Sequence, residues 1–155
     1  MKKDLLSLLD LEKEDFVALF TRALQLKKRY NRGILDKLLA GKSLGLIFDK
    51  KSTRTRVAFE TAMIQLGGPP IYMSAQDTQI SRNEPAKDTA RVLSRYIDCL
   101  AMRTFDHSLV EEFAQNSTIP VINALTDSFH PCQILSDIMT IIEHKGGYKN
   151  LKIVW

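Results

Sequence analysis

Cysteine is scarce in this chain: Cys99 and Cys132 are the two in 155 residues, far apart and in unlike surroundings. That argues against a disulfide framework or a zinc knuckle and suits a reducing compartment. No run of five or six like charges occurs, and no basic stripe is interleaved with aromatics, so nucleic acid is not the expected partner. No apolar run reaches the ~18 residues that a membrane span needs. The amino terminus carries Asp4, Asp10, Glu12, Glu14 and Asp15, unlike a secretory signal or an acid-poor transit peptide. A G-x-G-x-x-G dinucleotide fingerprint is missing. Gly41, Lys42 and Ser43 imitate the end of a phosphate loop, but position 36 is Asp where that motif needs glycine, and the triplet precedes a strand instead of following one. The expectation is a soluble cytoplasmic protein that binds neither nucleic acid nor membrane.

What is present is ordinary globular material, with 45% hydrophobic and 26% charged residues. A chain of this length is one domain and buries roughly 70% of the surface of its unfolded form. The net charge of +4 favours anionic ligands only mildly.

From Lys13 to Tyr30 the apolar positions Phe16, Leu19, Phe20 and Ala23 follow a helical rhythm, and Lys27, Lys28, Arg29 and Arg32 read as its solvated, basic end. Gly33 stops this helix, and a short helix is expected over Ile34–Leu39. Leu44–Phe48 is an apolar run suited to a strand buried on both faces. A helix with Phe59, Met63 and Leu66 on one face follows it, ended by Gly67, Gly68, Pro69 and Pro70. Ile71–Met73 is a second strand, followed by a polar loop from Ser74 to Pro85. Ala86–Tyr96 reads as a helix, Ile97–Met102 as a third strand ending at Arg103, and Asp106 caps a helix through about Gln115. Pro120–Ala124 is a fourth strand, and Ile134–Lys145 a helix before Gly146. Strand and helix alternate four times, which predicts an α/β fold: a four-stranded parallel sheet flanked by helices. Leu151–Trp155 reads as the opening of another strand, as if a second domain began there.

In such sheets ligands bind beyond the carboxyl ends of the strands. Four loops qualify: DKKSTRTR after the first strand, SAQDTQISRNEP after the second, RTFDH after the third and LTDSFHPCQ after the fourth. In the first, Ser52 or Thr53 suits a helix cap, and Arg54, Arg56 and the hydroxyls of Ser52, Thr53 and Thr55 form a donor set fitted to a phosphoryl group. The local pattern alone leaves two readings open, a capped helix with solvated arginines or an anion site. Arg103 ends an apolar strand, where a charge either reaches water or meets a ligand. His130, Pro131 and Gln133 read as loop residues on the same rim. Cys132 near His130 invites a nucleophile reading, but a packing or helix-start role suits it better. His107 reads as surface in a first helical turn, Cys99 as core, and His144 as a cation at a helix carboxyl end.

The stretch FDKKSTRTRVAFE, Phe48 to Glu60, resembles the Ser-x-Arg-Thr-Arg phosphate loop of the aspartate/ornithine carbamoyltransferases, and HPCQ at His130–Gln133 resembles their second hallmark. DTARVLSRYID (88–98), RTFDH (103–107) and PVINALTDSFHPCQILSD (120–137) look most like the ornithine-using branch. The likeness covers the whole chain but only the first of that family's two domains. It implies a carbamoyl phosphate-binding domain over 1–150, with 151–155 opening a second, ornithine-binding domain. On matching positions Ser52, Thr53, Arg54 and Thr55 would bind phosphate, Arg103 phosphate and carbonyl oxygen, and His130 that same oxygen. Gln133 would accept from the carbamoyl amide, and Gln79 would reach a neighbouring subunit's site, which implies a homotrimer with shared sites. Lys50, Lys51 and Arg56 would be supporting or solvated charges. The implied reaction carries the carbamoyl group to the side-chain amine of ornithine, giving citrulline and phosphate in arginine metabolism, with no metal or organic cofactor; the fragment alone would turn over poorly. Asn83 stands before Glu84 and Pro85 where the family often has glycine, and this loop lacks the lysine of the aspartate-using relatives. Transfer to putrescine or aspartate, or a noncatalytic phosphate-binding module, are the alternatives.

Overall fold

A computed structural model describes residues 3–74, 84–147, 151, 152 and 154. β1 (Leu44–Phe48) is buried at every position, as a strand covered on both faces must be. β3 (Cys99–Arg103) and β4 (Val121–Leu125) are largely buried, whereas β2 (Pro70–Ser74), at one edge of the sheet, is half-exposed; β4, at the other edge, is bridged by Leu5. The sheet has the order β2-β1-β3-β4 with every pairing parallel. Chain order therefore reverses between β1 and β3, and a crevice opens at their carboxyl ends, where open α/β sheets hold ligands.

Alternation along the strands divides the core. Leu46, Phe48, Ala101 and Ala124 pack with Met63 of α2 (Arg54–Gln65) on one face. Ile47, Leu100, Met102 and Val121 pack on the other with Ala90 of α3 (Ala86–Leu93) and with Val110 and Phe113 of α4 (His107–Asn116). α5 (Pro131–Lys145) follows β4 and ends at Gly146 in the left-handed conformation, φ 72°. At Gly68, between α2 and β2, a Cβ would stand 2.3 Å from the Lys42 carbonyl oxygen, so only glycine fits. Among the described residues no helix is long and apolar enough to cross a membrane.

Several expectations need correction. α1 (Lys13–Tyr30) spans the expected range, yet none of its residues is buried, and its basic end is partnered: Lys27 pairs with Glu143 at 2.8 Å and Arg29 with Asp36 at 2.6 Å. Ile34–Leu39 is not a helix. It is a turn-rich link between Gly33 and Gly41, both with positive φ, too short to sustain a nucleus and held by Leu39 N–H donating to the Leu66 carbonyl. α3 stops at Leu93 and tightens into turns, the Ser94 hydroxyl donating to the Ala90 carbonyl at 2.7 Å. α5 begins three residues before Ile134, because Pro131 supplies the fixed φ of a first helical position. Leu5 adds a parallel bridge beside β4 at Ile122, with Leu5 N–H donating to the Val121 carbonyl at 2.9 Å. Leu151, Lys152 and Val154 carry no strand, and most of the polar loop from Ser74 to Pro85 falls outside the described residues.

Candidate functional site

A cleft of about 970 Å³ lies over the carboxyl ends of β1, β3 and β4, lined by Ser52, Thr53, Arg54, Thr55, Arg103, His130 and Gln133 among others. It gathers every proposed binding residue except Gln79, which lies outside the described residues.

β1 ends at Phe48, and α2 begins at Arg54 with Thr53 in the N-cap position. Neither expected cap is made: the Thr53 side chain forms no capping hydrogen bond, and no acid stands in the first turn. The first N–H groups of α2 thus lack a side-chain acceptor among the described residues, with the positive end of the helix dipole behind them. Arg54 has no carboxylate partner among the described residues. Arg56 faces elsewhere, its Nε donating to Glu60 at 2.9 Å and its guanidinium lying 3.5 Å over the Tyr72 ring. Lys50 is not solvated; its ammonium pairs with Asp127 and sits 4.4 Å over the Phe105 ring, tying the β1–α2 loop to the loops after β3 and β4. Lys51 stands at the cleft edge.

Arg103 closes β3 where the β3–β4 register shifts between Met102 and Arg103, an irregularity of the kind that re-aims a side chain. Its Nη1 donates weakly to Thr55 Oγ1 at 3.4 Å, and its buried Nε has no partner among the described residues. Burial and the nearby Arg54 charge push its pKa below the usual arginine value, yet a guanidinium stays charged. Three cations lining one cleft, Lys51, Arg54 and Arg103, with a buried donor that has no partner among the described residues, are the electrostatics of an anion site.

His130, the last residue of the loop, is the N-cap of α5, whereas Pro131 and Gln133, read as loop residues, lie in the first turn of that helix. The loop before His130 is held tightly. Thr126 N–H donates to the Phe129 carbonyl at 2.9 Å, Asp127 N–H to the Phe105 carbonyl at 2.9 Å, and the Phe129 N–H to Thr126 Oγ1 at 3.2 Å. His107, expected at the surface, joins this clamp: its Nδ1 lies 3.1 Å from Thr126 Oγ1 and its ring packs edge-on against Phe129. Burial first, then the Arg103 charge, lower the His130 pKa, with Asp137 opposing, which favours the neutral imidazole. Its buried Nδ1 has no partner among the described residues. Asp137, not singled out from the sequence, accepts from Gln133 Nε2 at 2.8 Å; the signal was its spacing one helical turn on. Cys132 packs at the helix start, its thiol donating to the Asn123 carbonyl and pushed up to about 11 by burial, too high for a nucleophile at neutral pH.

The arrangement can therefore grip a dianion at the start of α2 and direct two further donors, Arg103 and His130, at an oxygen beside it. The family model for aspartate/ornithine carbamoyltransferase, carbamoyl-P binding domain, matches residues 3–143. The ornithine carbamoyltransferase of Syntrophus aciditrophicus is 56% identical over 155 residues, covering 100% of this chain and 51% of that protein. That of Desulfotalea psychrophila is 57% identical over the same 155 residues and again 51% covered. The solved ornithine carbamoyltransferase of Pyrococcus furiosus superposes with a TM-score of 0.90 at 50% identity, over 93% of this chain and 46% of that one. The chain spans about half the length of the curated relatives it matches.

Proposed function

The chain belongs to the aspartate/ornithine carbamoyltransferase family, whose carbamoyl phosphate-binding domain it matches over residues 3–143, and from there we propose that it is the carbamoyl phosphate-binding half of an ornithine carbamoyltransferase. The observation that carries this reading is the single cleft in which the start of α2, Arg103, His130 and Gln133 meet. Ornithine as acceptor rests on the names of the relatives.

In this reading Ser52, Thr53, Arg54 and Thr55 cradle the phosphoryl group with hydroxyls, a guanidinium and helix N–H groups. The uncharged side-chain amine of ornithine attacks the carbamoyl carbon, and the carbonyl pair moves onto oxygen to form a tetrahedral intermediate. Arg103 and the neutral His130 donate to that oxygen as charge develops, and preorganised donors of this kind are worth about 3 kcal/mol each. The bond from carbon to the phosphate oxygen then breaks, its electron pair leaves with phosphate into the cradle, and the amine proton passes to that departing phosphate, giving citrulline and hydrogen phosphate. Gln133 accepts from the carbamoyl amide. The chemistry is proton and acyl transfer and calls for no cofactor. By family analogy Gln79 serves a neighbouring subunit's site in a homotrimer, residues 1–150 form the donor domain with 151–155 leading into an ornithine-binding one, and the setting is cytoplasmic arginine metabolism.

The test is citrulline formation from carbamoyl phosphate and ornithine by the longer protein carrying this domain. His130→Ala is expected to lower turnover more than tenfold. Near-normal turnover in that variant would remove the assigned role, and turnover with putrescine or aspartate in place of ornithine would move the acceptor.

A further inference from the structure

Gln133 lies in the first turn of α5, lines the cleft, and donates from Nε2 to Asp137 Oδ1 at 2.8 Å. A glutamine amide is nearly symmetric in shape, so by packing alone it can present either its carbonyl or its NH2 group to a ligand. An ionised carboxylate only accepts. Asp137 therefore takes the NH2 end, and Oε1 is the end left to meet what enters the cleft. We propose that Asp137 is the positioning residue that fixes the Gln133 amide, making this side of the site an acceptor that reads an N–H donor next to a phosphoryl group. The inference rests on the reading of Gln133 as the contact to the carbamoyl amide. It adds a basis for specificity: an acyl phosphate bearing NH2 satisfies Oε1, whereas one bearing a methyl leaves it unpaired and one bearing a carboxylate oxygen is repelled.

Asp137 also brings a negative charge near the cleft, close enough to oppose the lowering of the His130 pKa. Removing that charge alone would strengthen the binding of every anion. The useful quantity is accordingly a ratio, the affinity for phosphonoacetamide, which carries the amide beside its phosphonate, over that for inorganic phosphate, which has none.

Both ligands are titrated calorimetrically into the chain and its variants. The wild type is expected to prefer phosphonoacetamide, Asp137→Ala to lose about fivefold of that preference with phosphate binding kept or strengthened, and Asp137→Glu to regain part of it. Should Asp137→Ala fail to fold, Asp137→Asn carries the same test with a smaller drop, since an Asn amide can face Gln133 with either end. An unchanged ratio overturns the proposal, and so does loss of both ligands alike, which would make Asp137 a structural residue. A wild type that binds phosphate without any preference for the amide removes the Gln133 contact itself. A wild type that binds neither removes the whole carbamoyl phosphate reading.

Discussion

The amino-terminal ends of α2 and α4 follow neighbouring strands, β1 and β3, and open on the same rim of the sheet, yet they are finished in opposite ways. At α4 the Asp106 carboxylate accepts from Ser108 N–H at 2.9 Å and from the Ser108 hydroxyl at 2.7 Å, and those bonds hold its pKa below the usual carboxylate range. One orphan donor of α4 is capped, and a carboxylate faces its dipole, inside the fold. At α2 the cap position is Thr53 with no capping bond, the first turn has no acid, and Arg54 adds a positive charge without a carboxylate partner among the described residues. One end stabilises the chain by itself; the other leaves its donors for something that arrives. The loop before His130 contrasts with α2 as well, which fits the proposed roles: a donor aimed at one oxygen needs fixed geometry, whereas a cradle needs unspent donors.

Exchanging the two kinds of end is the strongest way to break this comparison. Thr53→Asp puts a carboxylate at the positive end of α2, and phosphate binding should fall more than tenfold. The unliganded chain should gain up to about 1 kcal/mol in urea unfolding through the helix dipole, since the backbone at Thr53 is helical and not extended as at Asp106. The matching change at α4, Asp106→Ala, should cost about 1 kcal/mol and leave phosphate affinity within about twofold of the wild type. Retained phosphate binding in Thr53→Asp, or lost binding in Asp106→Ala, would mean that the two ends do not differ in the way described.

A smaller effect concerns pH. The folded chain holds His130 neutral, with a pKa below its ordinary value of 6.5, so the unfolded chain takes up a proton first as the solution becomes acidic. Stability from this group is present above about pH 6.5 and is lost as pH falls toward the folded value. His130→Gln should therefore lose less of its urea midpoint than the wild type between about pH 7.5 and 5.5. The carboxylates of Asp36, Asp98 and Asp106, held low by their partners, keep their contributions until more acidic pH. Equal losses in the two proteins would place the His130 imidazole in an ordinary, solvated setting.

The buried strands were the most legible part of the sequence. Leu44–Phe48 was read at its observed bounds because a parallel strand covered on both faces shows as an unbroken apolar run. The Asp106 cap was legible for a local reason too, since the carboxylate bonds two residues ahead. Ile34–Leu39 misled because its composition is helical while two flanking glycines with positive φ and a bond to Leu66 decide its path. The start of α5 was misjudged although Pro131 carried a local signal for it. In the site, Arg103 and His130 were legible as candidates from their loops, but the unpartnered state of their buried nitrogens is a tertiary fact. His107 reads as surface from the sequence because its partners, Thr126 and Phe129, belong to another loop. Lys50, a supporting or solvated charge by sequence, is the supporting kind, with partners Asp127 and Phe105 that also lie in other loops.

The central claim of the proposed function is that the start of α2 is an anion cradle to which Arg54, without a carboxylate partner among the described residues, supplies a charge. Calorimetric titration of the chain with carbamoyl phosphate, beside Arg54→Ala, tests it most directly. A guanidinium bonded to a phosphoryl group is worth about 1.5–3 kcal/mol, so the variant should bind at least tenfold more weakly than the wild type. Wild-type binding no tighter than that of Arg54→Ala would contradict the account.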